Sequence, residues 1–61
     1  MSHDLSLAQK HAWNLARILM TLVVLFQSGT EFGVLPVDEF EDVDVIGLYL
    51  YDPYSGGEAL H

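Results

Sequence analysis

The longest apolar stretch of the chain covers residues 18–26, ILMTLVVLF, in which Thr21 alone interrupts eight strongly apolar side chains. Before it, polar residues recur at intervals of three or four, the spacing of one face of an α-helix. Those polar positions are His3, Ser6, Lys10, Asn14, Arg17 and Thr21. Gly and Pro are absent from residues 5–27, and Ser28-Gly29 follows as a stop signal. The pattern predicts one helix over residues 5–28.

The start of this helix has several candidate caps. Ser6 with Gln9 three residues later matches a capping box, while Ser2 and Asp4 are also good N-cap residues. These alternatives move the first turn without changing the prediction of a helix.

The predicted helix is longer than a compact domain of this size. A helix of about 22 residues is already about 33 Å long, whereas a compact domain of 61 residues has a diameter of roughly 27 Å. Beyond Thr21 the apolar side chains surround the axis, so they need burial on all sides. We therefore expect a homodimer or higher oligomer. The predicted oligomer interface consists of Ile18, Leu19, Leu22, Val23, Leu25 and Phe26.

The second half of the chain has the pattern of short strands. Residues 31–37 are extended in character, and Pro36 favours the edge of a sheet. Residues 43–51 are rich in Val, Ile and Tyr and alternate as a strand does, with Ile46, Leu48 and Leu50 on the face expected to lie on the helix. We predict a hairpin over residues 33–52 with an acidic loop, followed by a turn and tail over residues 53–61.

Together these elements predict a single small domain spanning residues 1–61. Its fold class is α+β, with one long N-terminal helix packed on a C-terminal β-hairpin. A lone hairpin is barely stable in water, so an edge strand is a further route to dimerisation.

Charge is distributed unevenly along the chain. The net charge is −7, and every acidic residue except Asp4 follows Thr30, whereas Lys10 and Arg17 lie in the first half. Phosphate binding depends on Lys and Arg, so direct binding of nucleic acid is not expected. The predicted partner is another protein with a basic surface, contacted by Asp38, Glu39, Phe40, Glu41, Asp42, Asp44, Tyr49 and Tyr51.

The sequence offers little catalytic chemistry. Ser55 lacks the G-x-S-x-G turn of a hydrolase nucleophile, and no base for any Ser can be identified. The acids around Asp42 and Asp44 do not match the calcium-loop spacing, and none of the three His residues has a second ligand four residues away. We expect no enzymatic activity, no metal and no cofactor.

Two functions fit these observations. The first is a non-catalytic inhibitor, of the kind that phages and other mobile elements encode, whose carboxylates occupy the basic groove of a nucleic-acid-binding protein. The second is a homo-oligomeric structural or adaptor protein assembled through the apolar helix, in which the acids only keep the protein soluble.

The first half of the chain also allows other interpretations. Lys10 and Arg17 before an apolar run resemble a signal peptide, although no A-x-A site follows. Residues 18–26 are too short to span a membrane, and we expect a cytoplasmic protein with membrane association as a weaker option. Trp13 either anchors a partner or belongs to the core.

Overall fold

The fold is one helix packed on a four-stranded antiparallel sheet, which confirms the α+β class. The computed structural model describes residues 4–40 and 45–60. The elements are α1 (Leu5–Leu19), β1 (Val23–Ser28), β2 (Glu31–Pro36), α2 (Val37–Phe40), β3 (Ile46–Asp52) and β4 (Gly56–Ala59). The strand order is β2-β1-β3-β4, so β1 and β3 are central strands and β2 and β4 are edges.

Helix α1 is shorter than the sequence pattern predicts. Asp4 caps its start, because one carboxylate oxygen accepts hydrogen bonds from the backbone N–H of Ser6 (2.9 Å) and of Leu7 (3.4 Å). The helix ends where Met20 adopts the left-handed conformation, with φ 54°. The prediction of a helix over residues 5–28 is therefore wrong from Met20 onward.

The apolar run divides into the end of α1 and the strand β1. Val23 and Leu25 are fully buried against α1, whereas Val24 is buried on the opposite face of the sheet. A central strand that is covered on both faces needs apolar residues at every position, which is the same requirement as that of a fully buried helix. The adjacent β-branched residues Val23 and Val24 favour the strand.

The hairpin of the structure joins β1 to β2. Ser28 pairs with Glu31 across the two-residue turn Gly29-Thr30, and Gly29 has φ 63°, as the first position of a type II′ turn requires. The predicted hairpin over residues 33–52 is wrong, because β1 lies between β2 and β3 and pairs with both. The edge position predicted from Pro36 is confirmed.

The face of β3 that lies on α1 agrees with the prediction only at Leu48, which packs against the core beneath α1 next to a β-bulge in the pairing with β1. Tyr49 and Tyr51 pair with Leu25 and Val23 and pack with them beneath α1. Leu50 pairs with Val24 and therefore lies on the other face. The tyrosine rings fit beneath the helix because the fully covered residues of α1 are all small, and these residues are Ala8, Ala12 and Ala16.

The predicted turn and tail over residues 53–61 contains a further strand. Asp52 accepts hydrogen bonds from the backbone N–H of Tyr54 (2.7 Å) and Ser55 (3.3 Å), which forms the turn. Strand β4 then pairs with β3, and the ring of Tyr51 lies over Gly57, where a Cβ atom would come within 2.5 Å of it.

The size argument for an obligatory partner does not hold for this fold. Helix α1 has 15 residues, a length of about 22 Å, and the described chain measures 29 × 24 × 20 Å with a radius of gyration of 10.2 Å. The helix fits within its own domain. The oligomeric state itself stays a prediction.

Candidate protein-binding surface

The face of the sheet away from α1, which we call the open face, is covered in part by the short helix α2. Val37 donates its backbone N–H to the carbonyl of Leu22 (3.0 Å), so α2 continues the β1–β2 ladder. The ring of Phe40 lies 6.5 Å from that of Phe26 and also above Gly47. These contacts fix α2 at both of its ends.

Helix α2 directs two carboxylates into solvent. Asp38 and Glu39 are both exposed, and they lie between the residues that fix α2 to the sheet. Carboxylates on an anchored backbone lose less conformational freedom on binding a cation than carboxylates on a free loop. This part of the predicted partner surface therefore has a defined geometry.

The structure does not bring the whole predicted partner set together. Asp38, Glu39 and Phe40 lie on the side of the open face, whereas Tyr49 and Tyr51 lie under α1. Tyr51 is 7% exposed and belongs to the core, and with Tyr49 it lines the cleft between α1 and β3 on that side of the sheet. Glu41, Asp42 and Asp44 lie outside the described residues.

The predicted oligomer interface is also divided. Val23 and Leu25 are core residues of the single chain and are not available to another copy. Leu22 and Phe26 are half-buried. Ile18, 77% exposed, and Leu19, 48% exposed, lie at the end of α1 next to the exposed Met20. Among the predicted interface residues, those at the end of α1 are therefore the most exposed.

A groove of about 490 Å³ runs beside the edge strand β2. Its wall from α1 contains Leu7, which is exposed, and His11. Its wall from the sheet contains Phe32 and Val34, which also pack against the core beneath α1. None of the predictions from the sequence includes this groove. The pair Leu7 and His11, four residues apart on one helix face, was the signal that could have indicated it.

A second cleft, of about 560 Å³, lies between α1 and the strands β3 and β4. Trp13 lines it, and the guanidinium of Arg17 lies 5.7 Å from the centre of the Trp13 ring. Trp13 also packs against the core and is half-buried. The contact with the core is therefore present, whereas a role of Trp13 as an anchor for a partner stays a prediction.

The fold changes the ionisation of Tyr51. Burial raises the pKa of its phenol, and the neighbouring Tyr49 raises it further, while a side-chain hydrogen bond with Gln9 has the opposite effect. The folded state thus favours the neutral phenol.

We expect Tyr51 to contribute to loss of stability at high pH. The pKa of Tyr51 is higher in the folded chain than the unfolded value of 10.0. Its contribution is therefore fully present below pH 10 and is lost as the pH rises through the folded pKa. Tyr51→Phe should lower the free energy of unfolding by about 1 kcal/mol at neutral pH, because the hydrogen bond is lost. It should also reduce the fall in melting temperature between neutral and strongly alkaline pH. Equal falls for the wild type and the variant would contradict this role.

Within residues 4–40 and 45–60, no three His, Asp or Glu side chains are grouped so that they could hold a metal ion. Within the same residues, no helix has both the length and the hydropathy for a membrane crossing. Comparison with protein-family models, curated proteins and solved structures finds no match to this chain.

Proposed function

We propose that this chain is a non-catalytic protein-binding module that docks on a basic surface of another protein. The observation that carries the proposal is the pair of exposed carboxylates of Asp38 and Glu39 on a helix whose two ends are fixed to the sheet. The chain has nine acidic residues against two basic ones, so its field attracts a basic partner from a distance.

The most specific form of this function is inhibition of a nucleic-acid-binding protein. A groove that binds phosphates is lined by Lys and Arg, and carboxylates held on a small rigid surface can occupy the same positions. The half-buried Phe40 beside Asp38 and Glu39 supplies apolar contact next to the charges. We favour a phage or other mobile element as the source of such an inhibitor.

The proposal is tested by capture from a host extract with the immobilised protein. We expect basic nucleic-acid-binding proteins to be retained at low salt and released by heparin, which competes for the same cationic groove. Neutralising the pair with Asp38→Asn and Glu39→Gln should reduce retention about tenfold, because two charge-assisted contacts are lost. A control for the loss of a single charge away from this pair is Asp4→Asn, which keeps an N-cap and is compared with Asp38→Asn alone.

The two outcomes of this capture are distinct. Retention that heparin and the double variant both reduce would support docking on a basic groove. Retention that neither heparin, salt nor the double variant changes would contradict it, since screening weakens contacts between exposed charges.

A second candidate function is assembly of a homo-oligomeric structural or adaptor protein. It is favoured by the exposed apolar side chains at the end of α1, Ile18, Leu19 and Met20. In this case the acids keep the protein soluble and carry no recognition. A dimeric or larger mass in solution that Ile18→Asp converts to a monomer would favour this candidate.

A further inference from the structure

The outer edge of β2 carries backbone groups that can pair with another strand. Ser28 and Glu31 flank a two-residue turn and form a hydrogen-bonded pair, and the pattern alternates from there. The groups of Gly33 and Leu35 therefore point to β1, whereas the N–H and C=O groups of Phe32 and Val34 point outward. Val37, two residues after Leu35, also points to β1, because its N–H donates a hydrogen bond to the carbonyl of Leu22.

Pro36 has a position that fits this edge. Its register places its nitrogen on the outer side, where the missing N–H breaks no bond to β1. Proline thus ends the available edge at one side without weakening the sheet. The open stretch is short, and it is matched to an added strand of about six residues, or 20 Å.

The groove beside β2 supplies side-chain contacts for such a strand. Residues of an added strand would alternate between the two faces of the sheet. On one face they would meet Leu7, His11 and Val34, and on the other face Phe26 and Leu35. Backbone pairing gives affinity in this mode of recognition, and pockets for alternate side chains give specificity.

The charges at the two ends of β2 indicate the chemistry of the occupant. Glu31 is the first residue of the strand, and Asp38 and Glu39 follow its last residue. An apolar segment bracketed by Lys or Arg therefore matches both ends of the groove. A second copy of this chain does not, because antiparallel pairing of β2 with itself would bring Glu31 near the acids of the other copy.

We propose that β2 is a peptide-binding edge, at which an extended, basic-flanked apolar segment of a partner protein adds to the sheet as a fifth strand. This inference rests on the proposed function, since it requires a protein partner, and it adds the mode of recognition. The opposite edge is less suited, because β4 has four residues and begins with Gly56-Gly57, which provide no side chains for contact.

A defined peptide tests the inference. The probe is a capped ten-residue peptide, Arg-Arg-Val-Thr-Val-Thr-Val-Thr-Arg-Arg, titrated into the isotopically labelled full chain to about 1 mM, where weak binding is detectable. We expect saturable shifts in the NMR spectrum at β2. We also expect the amide hydrogens of Phe32 and Val34 to exchange about tenfold more slowly in the complex, because each gains a hydrogen-bond acceptor. A peptide with its two central residues replaced by proline should fail to protect them.

Two variants separate the backbone contact from the side chain. Val34→Pro removes the outward N–H and leaves the bonds to β1 in place, whereas Val34→Ala shortens the side chain and keeps the N–H. The proline variant should bind the peptide about tenfold more weakly than the alanine variant. If circular dichroism shows that Val34→Pro does not fold, the exchange rates of the wild type still decide the question.

Each other result would overturn the inference. Binding of the peptide with shifts confined to Asp38 and Glu39, and equal affinity of the two Val34 variants, would leave acidic docking intact and exclude strand addition. Absence of binding at the highest concentration would exclude the edge as a site, while the capture experiment still tests the proposed function by itself. Protection of Phe32 and Val34 in the free protein that disappears on dilution would show that a second copy occupies the edge.

Discussion

Leu25→Ala should destabilise the protein by about 2–5 kcal/mol, because it removes a fully buried side chain from the centre of the core. A domain of this size has a total stability of roughly 3–9 kcal/mol, so the variant should be partly or wholly unfolded at 25 °C. Urea unfolding followed by circular dichroism measures the effect.

Ile18→Ala is the matched control for this experiment. Ile18 belongs to the same apolar run but is 77% exposed, and its truncation should change the stability by less than about 0.5 kcal/mol. A large loss for Ile18→Ala, or a small one for Leu25→Ala, would contradict the placement of Leu25 in a central strand beneath α1.

Ala12→Leu is expected to have the second largest effect. Ala12 has no exposed surface and lies in the middle of the alanine stripe by which α1 rests on the sheet. Three added carbon atoms must displace α1 from the sheet or force neighbouring side chains off their rotamers, at a cost of about 1–3 kcal/mol.

The control for helix propensity is Asn14→Leu, which introduces the same side chain at an exposed position of α1. This variant should keep or slightly raise the stability, because Leu has a higher helix propensity than Asn. Equal stabilities of the Ala12 and Asn14 variants in urea would show that α1 does not approach the sheet as closely as the structure indicates.

Several features of the fold follow directly from the sequence. The α+β class, the helix over its first 15 residues and the edge position of β2 were predictable from periodicity, capping residues and Pro36. Each rests on a local signal, since a polar seam at helical spacing and a proline in a strand restrict the backbone without reference to distant residues.

The boundary between α1 and β1 was not predictable in the same way. Residues 22–26 are apolar at every position, and a strand buried on both faces and a helix buried on all sides have the same pattern. Met20 in a left-handed conformation ends α1, although it is neither Gly nor Asn. Pairing of β1 with two neighbouring strands decides in favour of the strand, and that pairing is a long-range property.

The assignment of β1 to the helix accounts for the wrong hairpin and for the wrong buried face of β3. With β1 assigned to the helix, β2 had only β3 as a partner, and the aliphatic residues of β3 had to serve as its buried face. In the structure β1 separates β2 from β3, and the alanine stripe of α1 leaves room for Tyr49 and Tyr51 next to Leu48. The small side chains at Ala8, Ala12 and Ala16 were the available signal for large residues opposite them.

Of the candidate site, the sequence predicted the acidic residues but not the groove or the open edge. The acids of α2 stand out in the sequence, and the structure leaves Asp38 and Glu39 exposed as a partner surface requires. The groove and the open edge depend on how α1 lies relative to β2, which no local pattern specifies. The sequence pattern predicts only that Phe32 and Val34 belong to a strand. The register of β1 with β2 then shows that their backbone groups point outward.

The same register gives the most direct measurement on the free protein, which is hydrogen exchange of its backbone amides resolved by NMR. The fold predicts strand-type chemical shifts and strong protection at Val24, whose backbone groups point to β2, and at Leu25, whose backbone groups point to β3. It also predicts rapid exchange at Phe32 and Val34. Helical shifts that continue through residue 27 would contradict the central strand, and with it the open edge on which the proposed mode of recognition depends.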